Sequence, residues 1–144
     1  MKLRTVCLLA AMLAASAVKP LAAHHSFDAE YDRNKQRDFE GTVTKVEWMN
    51  PHARFYVDIK EADGKVVNWE FELGSPNGLM RSGWKRDSLK KGDLVKLQGN
   101  LAKDGSNLAN ARNITLADGR RVLAGSSADG QPIPPAPAGQ GKGK

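Results

Sequence analysis

Between Phe39 and Leu116, apolar residues recur at every second position, in short runs broken by Asn-Pro, Asp-Gly and Gly-Asp pairs. Successive side chains of a strand point to opposite faces, so this alternation predicts half-buried strands rather than helices. The first strand runs from about Arg37 to Trp48. Phe39, Gly41 and Val43 share one parity and Val46 and Trp48 the other, a shift that one extra residue in a β-bulge produces. Asn50-Pro51 turns the chain. In the second strand Ala53, Phe55, Val57 and Ile59 alternate against Arg54, Tyr56 and Asp58. A hairpin turn at Ala62–Lys65, where Asp63-Gly64 tolerates positive φ, leads into the third. There Val67, Trp69, Phe71 and Leu73 form the apolar face, and Asn68, Glu70 and Glu72 are expected on a solvated one.

The period then changes. Ser75-Pro76 reads as an N-cap with proline at the first helical position, so a short helix is expected over Pro76–Ser82, ended by Gly83. Arg86–Lys91 adds a turn with Leu89 inward. A fourth strand follows, with Val95, Leu97, Gly99 and Leu101 against Lys96 and Gln98. After Asp104-Gly105 a fifth runs from about Asn107 to Leu116, and Asp118-Gly119 opens a last hairpin ending in Val122 and Leu123. Three strands, a helix and two strands is the order of an OB-like five-stranded Greek-key barrel, all-β with one short helix. A long bulged first strand suits it, because that strand bends to serve both halves. An open sandwich or meander with a helical cap is the alternative.

The N-terminus reads differently. Lys2 and Arg4 precede an uncharged apolar stretch, Val6–Val18, then Lys19-Pro20 and the small-residue run Leu21-Ala22-Ala23. This is the order of a secretory signal peptide over residues 1–23. The apolar stretch is shorter than the ~20 residues that cross a bilayer. Cleavage removes Cys7, the one cysteine of the 144 residues. The mature domain then has no disulfide and is held by its own core. Three basic residues leave with the leader and no acid does, so the net charge of +6 falls to about +3. That mixed surface lacks the clustered basic footprint of a nucleic-acid binder. A polar arm (24–36), the β domain (37–125) and a disordered Pro/Gly/Ala-rich tail (126–144) complete the expected organisation. The expected location is the periplasm, without integral membrane insertion.

The chemistry-bearing residues are few. The histidines are His24, His25 and His52. After cleavage at Ala23, His24 offers an α-amine and an imidazole together, a chelating pair for Cu(II), which prefers nitrogen-rich, near-square coordination. His25 or His52 could supply a further nitrogen. A cut after Ala22 leaves Ala-His-His, a second copper-type ligand set. His52 shares parity with Arg54, Tyr56 and Asp58 and is therefore expected outside the core, near a loop end where sites concentrate. Trp48, Asn50, Arg54, Tyr56, Asn77 and Trp84 are candidates for a ligand groove. The basic cluster Arg81, Lys85, Arg86, Lys90 and Lys91 could meet anionic lipid or a protein, and as a solvated face it needs no explanation. There is no HExxH or CxxC pattern, phosphate loop or nucleophile elbow, so no catalytic residue is assigned.

The stretches HHSFDAEYD, FEGTVTKVEWMNPHARFYVD, NWEFELGSPNGLMRSGW, LKKGDLVKLQG and AKDGSNLANARNITLADGR together resemble the DUF6152 family of small exported bacterial proteins. The most specific pieces are the His-His start, Trp48…Asn50-Pro51-His52 and Gly74-Ser75-Pro76-Asn77. The resemblance implies a bacterial, exported protein and brings no activity with it. Two readings follow from the residues: a non-enzymatic binding protein holding copper at His24, His25 and His52, and a metal-free module for a protein or small envelope ligand. A copper-dependent oxidase led by His24 is a third.

Overall fold

The structure, a computed structural model, describes residues 25–116 and 118–124. The expected leader, His24 and the expected tail lie outside them. The order is α1 (His25–Glu30), β1 (Tyr31–Glu47), β2 (Arg54–Lys60), β3 (Val66–Glu72), α2 (Pro76–Arg81), β4 (Leu94–Ala102), β5 (Leu108–Leu116) and β6 (Arg121–Leu123). The chain is thus mostly β with two short helices. The six strands form one sheet in the order β3-β2-β1-β4-β5-β6, and neighbours in that order run antiparallel. β3 pairs in addition with β5, in parallel, through Glu70↔Leu108, Phe71↔Ala109 and Glu72↔Asn110. Among the described residues no helix is long and apolar enough to cross a membrane.

The central strand β1 holds the sheet together by pairing with β2 on one edge and β4 on the other. Its register against β2 shifts between Val43 and Lys45, the bulge that the parity change predicts. Gly41 is required where it stands: a Cβ there would lie 2.2 Å from the carbonyl oxygen of Asp58. Phe39, Val43, Phe55, Val57, Trp69, Phe71, Val95, Leu97 and Ile114 fill one core, with Leu79 of α2 and Leu89 added from the β3–β4 connection. Ser75 caps α2, its hydroxyl accepting from the Gly78 N–H at 3.2 Å.

Two expectations need correction. The expected single helix is joined by α1, and the first strand begins at Tyr31, not near Arg37. The cause is a second, smaller core. Phe27 and Tyr31, four residues apart, are buried together with Ala102 and with Leu108 partly covering them. Their rings sit 5.4 Å apart. Tyr31 pairs with Ala102, and the Lys103 N–H donates to the Glu30 carbonyl at 2.9 Å. The arm is therefore docked on the β4–β5 hairpin rather than being a polar lead-in.

Candidate functional site

Beyond the regular part of β2 and β3 the ladder continues: the Leu73 N–H donates to Ala53 O at 2.8 Å, and the Ala53 N–H to Gly74 O at 3.1 Å. This continuation sets His52 beside Glu72. Strand alternation then places His52, Arg54, Tyr56 and Asp58 on the outer face, with Arg54 opposite Glu72, Tyr56 opposite Glu70 and Asp58 opposite Asn68.

Asn68 is exposed and Glu70 half-buried on this face, but Glu72 is not solvated as expected. It is 5 % exposed. Its carboxylate gathers the cluster: His52 Nδ1 stands 3.1 Å from Oε1, Asn110 Nδ2 donates to Oε1 at 3.4 Å, and an Arg54 nitrogen lies 3.8 Å from Oε2. Arg54 also pairs directly with Glu70. Partial burial works against the Arg54 charge, yet Glu70 and then Glu72 hold its guanidinium above its ordinary range. Burial first, and then Glu72 and Glu30, push the Tyr31 phenol up. Tyr31 Oη is thus close enough to feel the Glu72 charge, but it makes no hydrogen bond of normal geometry among the described residues. The Glu30 carboxyl is likewise raised, by burial and then by Glu72.

Tyr31, Glu72, Asn100 and Asn110 thus form a buried polar patch where the arm crosses the outer face. No sequence motif marked it. The available signals were the Phe27/Tyr31 spacing and a Glu and an Asn each flanked by core residues, Phe71-Glu72-Leu73 and Ala109-Asn110-Ala111.

Among the expected site residues, the structure brings His52 and Arg54 together at Glu72. Tyr56 lies one pair further along, its hydroxyl donating to Glu47 Oε2 at 3.1 Å, with the Lys45 ammonium 5.1 Å from its ring centre. His25 opens α1; His24 lies outside the described residues. Trp48 and Trp84 meet at 6.4 Å between ring centres. Trp84 is buried in the core, and its indole N–H donates to the Leu123 carbonyl at 3.0 Å. It therefore packs rather than lining a groove. Trp48 is half-buried against the core, with its buried Nε1 unpartnered. Asn50, at a cis bond to Pro51, and Asn77, on α2, are exposed.

Elsewhere, a shallow concavity on the outer face of β1, β4 and β5 is lined by Asp38, Glu40, Lys96 and Gln98. These four are paired with one another, Lys96 with Glu40 at 3.1 Å and Gln98 with Asp38 at 3.3 Å. The basic residues Arg81, Lys85, Arg86, Lys90 and Lys91 are exposed. Among the described residues no three His, Cys, Asp or Glu side chains converge as a metal cage.

The sequence matches a family model over residues 11–111, that of DUF6152, described as a family of unknown function. Comparison with curated proteins returns no match, and neither does comparison with solved structures.

Proposed function

Since the chain belongs to the DUF6152 family, whose description carries no function, we propose a role from its own residues: an exported, periplasmic, non-enzymatic binding protein that holds Cu(II) through His24, His25 and His52. Its scaffold in this reading is an OB-like Greek-key barrel. The β3–β5 pairing, which joins the two sides of the order β3-β2-β1-β4-β5, and the place of α2 between β3 and β4 support that.

One observation carries the copper reading. Glu72 stands at the Nδ1 side of His52, where a ring N–H would donate to it, and this leaves Nε2 as the ligand nitrogen. A carboxylate behind a metal-binding histidine orients the ring and raises its basicity. The arm that carries the other two histidines is docked at the same carboxylate through Tyr31. A helix rises ~1.5 Å per residue, so His25 lies within about 9 Å of Tyr31 along the axis. The His24 amine and imidazole, with His52 Nε2, make up the nitrogen-rich set that suits Cu(II). When bound, the metal would be carried or sensed at the cell envelope. No reaction is assigned to it.

The test is Cu(II) titration of the processed protein by calorimetry and EPR, beside a His24→Ala and a His52→Ala variant, with the N-terminus fixed by mass spectrometry. The expected result is one tight site with nitrogen couplings, weakened in both variants. Weak binding that is unchanged in His52→Ala is the generic affinity of a histidine-led peptide. That result would discard the site in favour of a metal-free module using the face around Arg54 and Tyr56.

A further inference from the structure

The patch beneath the arm holds more oxygen than its own groups can satisfy. Asn110 lies opposite Glu72 in the parallel β3–β5 register, and Asn100 lies opposite Asn110 in the antiparallel β4–β5 register. Opposed residues in a sheet share a face, with Cβ atoms about 5 Å apart. Tyr31 pairs with Ala102, which is two residues from Asn100 and so on that same face. The four side chains therefore converge on one spot, and Phe27 and Leu108 close its flank. Tyr31 is 1 % exposed, Asn100 2 % and Asn110 0 %. Among the described residues, Asn100 Oδ1 and Asn110 Oδ1 are nonetheless unpartnered, and the Tyr31 hydroxyl, though within reach of the Glu72 carboxylate, makes no hydrogen bond of normal geometry. Leaving a buried polar atom unpaired costs about 1–3 kcal/mol, so two free amide oxygens on the face that carries Glu72 and Tyr31 point to a missing partner.

We propose that Glu72, Asn100, Asn110 and Tyr31 form a second site, distinct from the histidine site though sharing Glu72 with it, that takes one hard cation of the Ca2+ type. The donor set is all oxygen, one carboxylate with two amide oxygens and a phenol, which suits a hard cation and not a soft one. Ca2+ accepts such irregular cages, whereas Mg2+ demands near-ideal octahedral geometry and retains its waters. The local charge also favours it: the carboxylates of Glu30, Glu70 and Glu72 face the single guanidinium of Arg54. A water molecule would satisfy the two amide oxygens, but it would bring no charge to set against the carboxylates.

The test uses the processed protein, stripped with chelator and melted with and without millimolar CaCl2, together with Tb3+ as a luminescent stand-in excited through the nearby Tyr31. Ca2+ is expected to raise Tm in the wild type and equally in His24→Ala, and to displace Tb3+ emission. Glu72→Gln, which removes the charged ligand, should weaken the apparent affinity about tenfold or more. Asn100→Asp, which adds a charge, should strengthen it and keeps the question open to measurement if Glu72→Gln fails to fold. No Ca2+-dependent shift in the wild type would show that the patch holds water only. A shift of the same size in Glu72→Gln would place the ion elsewhere. Either result overturns the proposal. Loss of the shift in His24→Ala would overturn its separateness and merge the two sites.

Discussion

Replacing Phe27 with alanine separates the arm from the domain that it covers. Phe27 is buried and belongs to the small cluster with Tyr31, Ala102 and Leu108, distinct from the main core. Its ring lies 5.4 Å from that of Tyr31 and beneath the Arg33 guanidinium at 4.6 Å. Truncating a buried phenylalanine costs ~3–5 kcal/mol, and a cluster at the domain edge can collapse around the gap, which places the loss near ~3 kcal/mol. Because the ring touches no part of the main core, the loss falls on the docking of α1 and not on the sheet. If copper binding requires the docked arm, the same free energy appears in affinity, about a hundredfold at ~1.4 kcal/mol per factor of ten. Two measurements read this. Hydrogen exchange at Lys103, whose N–H is bonded to Glu30 O, reports the docking, and Cu(II) competition titration reports the site. Faster exchange with a hundredfold weaker copper is the expected pair. Unchanged exchange would refute the account of what holds the arm. Faster exchange with unchanged copper affinity would remove the arm from the site.

Gly41→Ala should cost ~3 kcal/mol in a denaturant titration, because the new Cβ would sit 2.2 Å from Asp58 O and 2.9 Å from side-chain carbons of Val57 and Ile59; a loss below ~1 kcal/mol would show that β1 and β2 can part there at little cost. Arg37, 2.6 Å from Glu61, is the first cause holding the Glu61 carboxyl below its ordinary value of 4.5, with the Trp69 N–H helping. The folded state thus favours the ionised form, and the stability it lends is present above pH 4.5 and lost as pH falls through the lowered value. Arg37→Gln should flatten the decline of Tm between pH 5 and pH 3, and an unchanged slope would exclude this pair as its source.

The faces of the strands were legible from alternation alone. His52 shares its parity with Arg54, Tyr56 and Asp58, and the structure sets all four outside the core. The bulge in β1 and the Ser75 cap on α2 have local causes, a parity change and a hydroxyl before proline, so they too could be read from the chain. The burial of Glu72 could not. At i, i+2 from Glu70 it looks like any solvated strand residue, and what removes it from water is a segment about forty positions earlier. Alternation tells which face a residue takes, but not whether something lies over that face. The one local clue was the spacing of Phe27 and Tyr31, four apart as on a helix, in a stretch that is otherwise polar.

The same residue explains why the patch is informative. Leucine at 72, 100 and 110 would close the space beneath Phe27 and Tyr31 with apolar contact and no unpaired oxygen. A chain shaped by stability alone gains by that exchange, because burying a carboxylate costs several kcal/mol before its partners repay any of it. Here three strands each place a polar side chain on the same spot, and the arm then excludes solvent from it. Part of the cost is offset by Arg54, Asn110 and His52 at the Glu72 carboxylate. Asn100 and Asn110 gain no such compensation at their amide oxygens. A polar group retained in a covered place, beside a histidine turned outward by the same carboxylate, is best accounted for by what it holds. Both proposals place their ligand within reach of Glu72, one on each side of it, so removal of that single carboxylate should weaken both, while His24→Ala weakens only one.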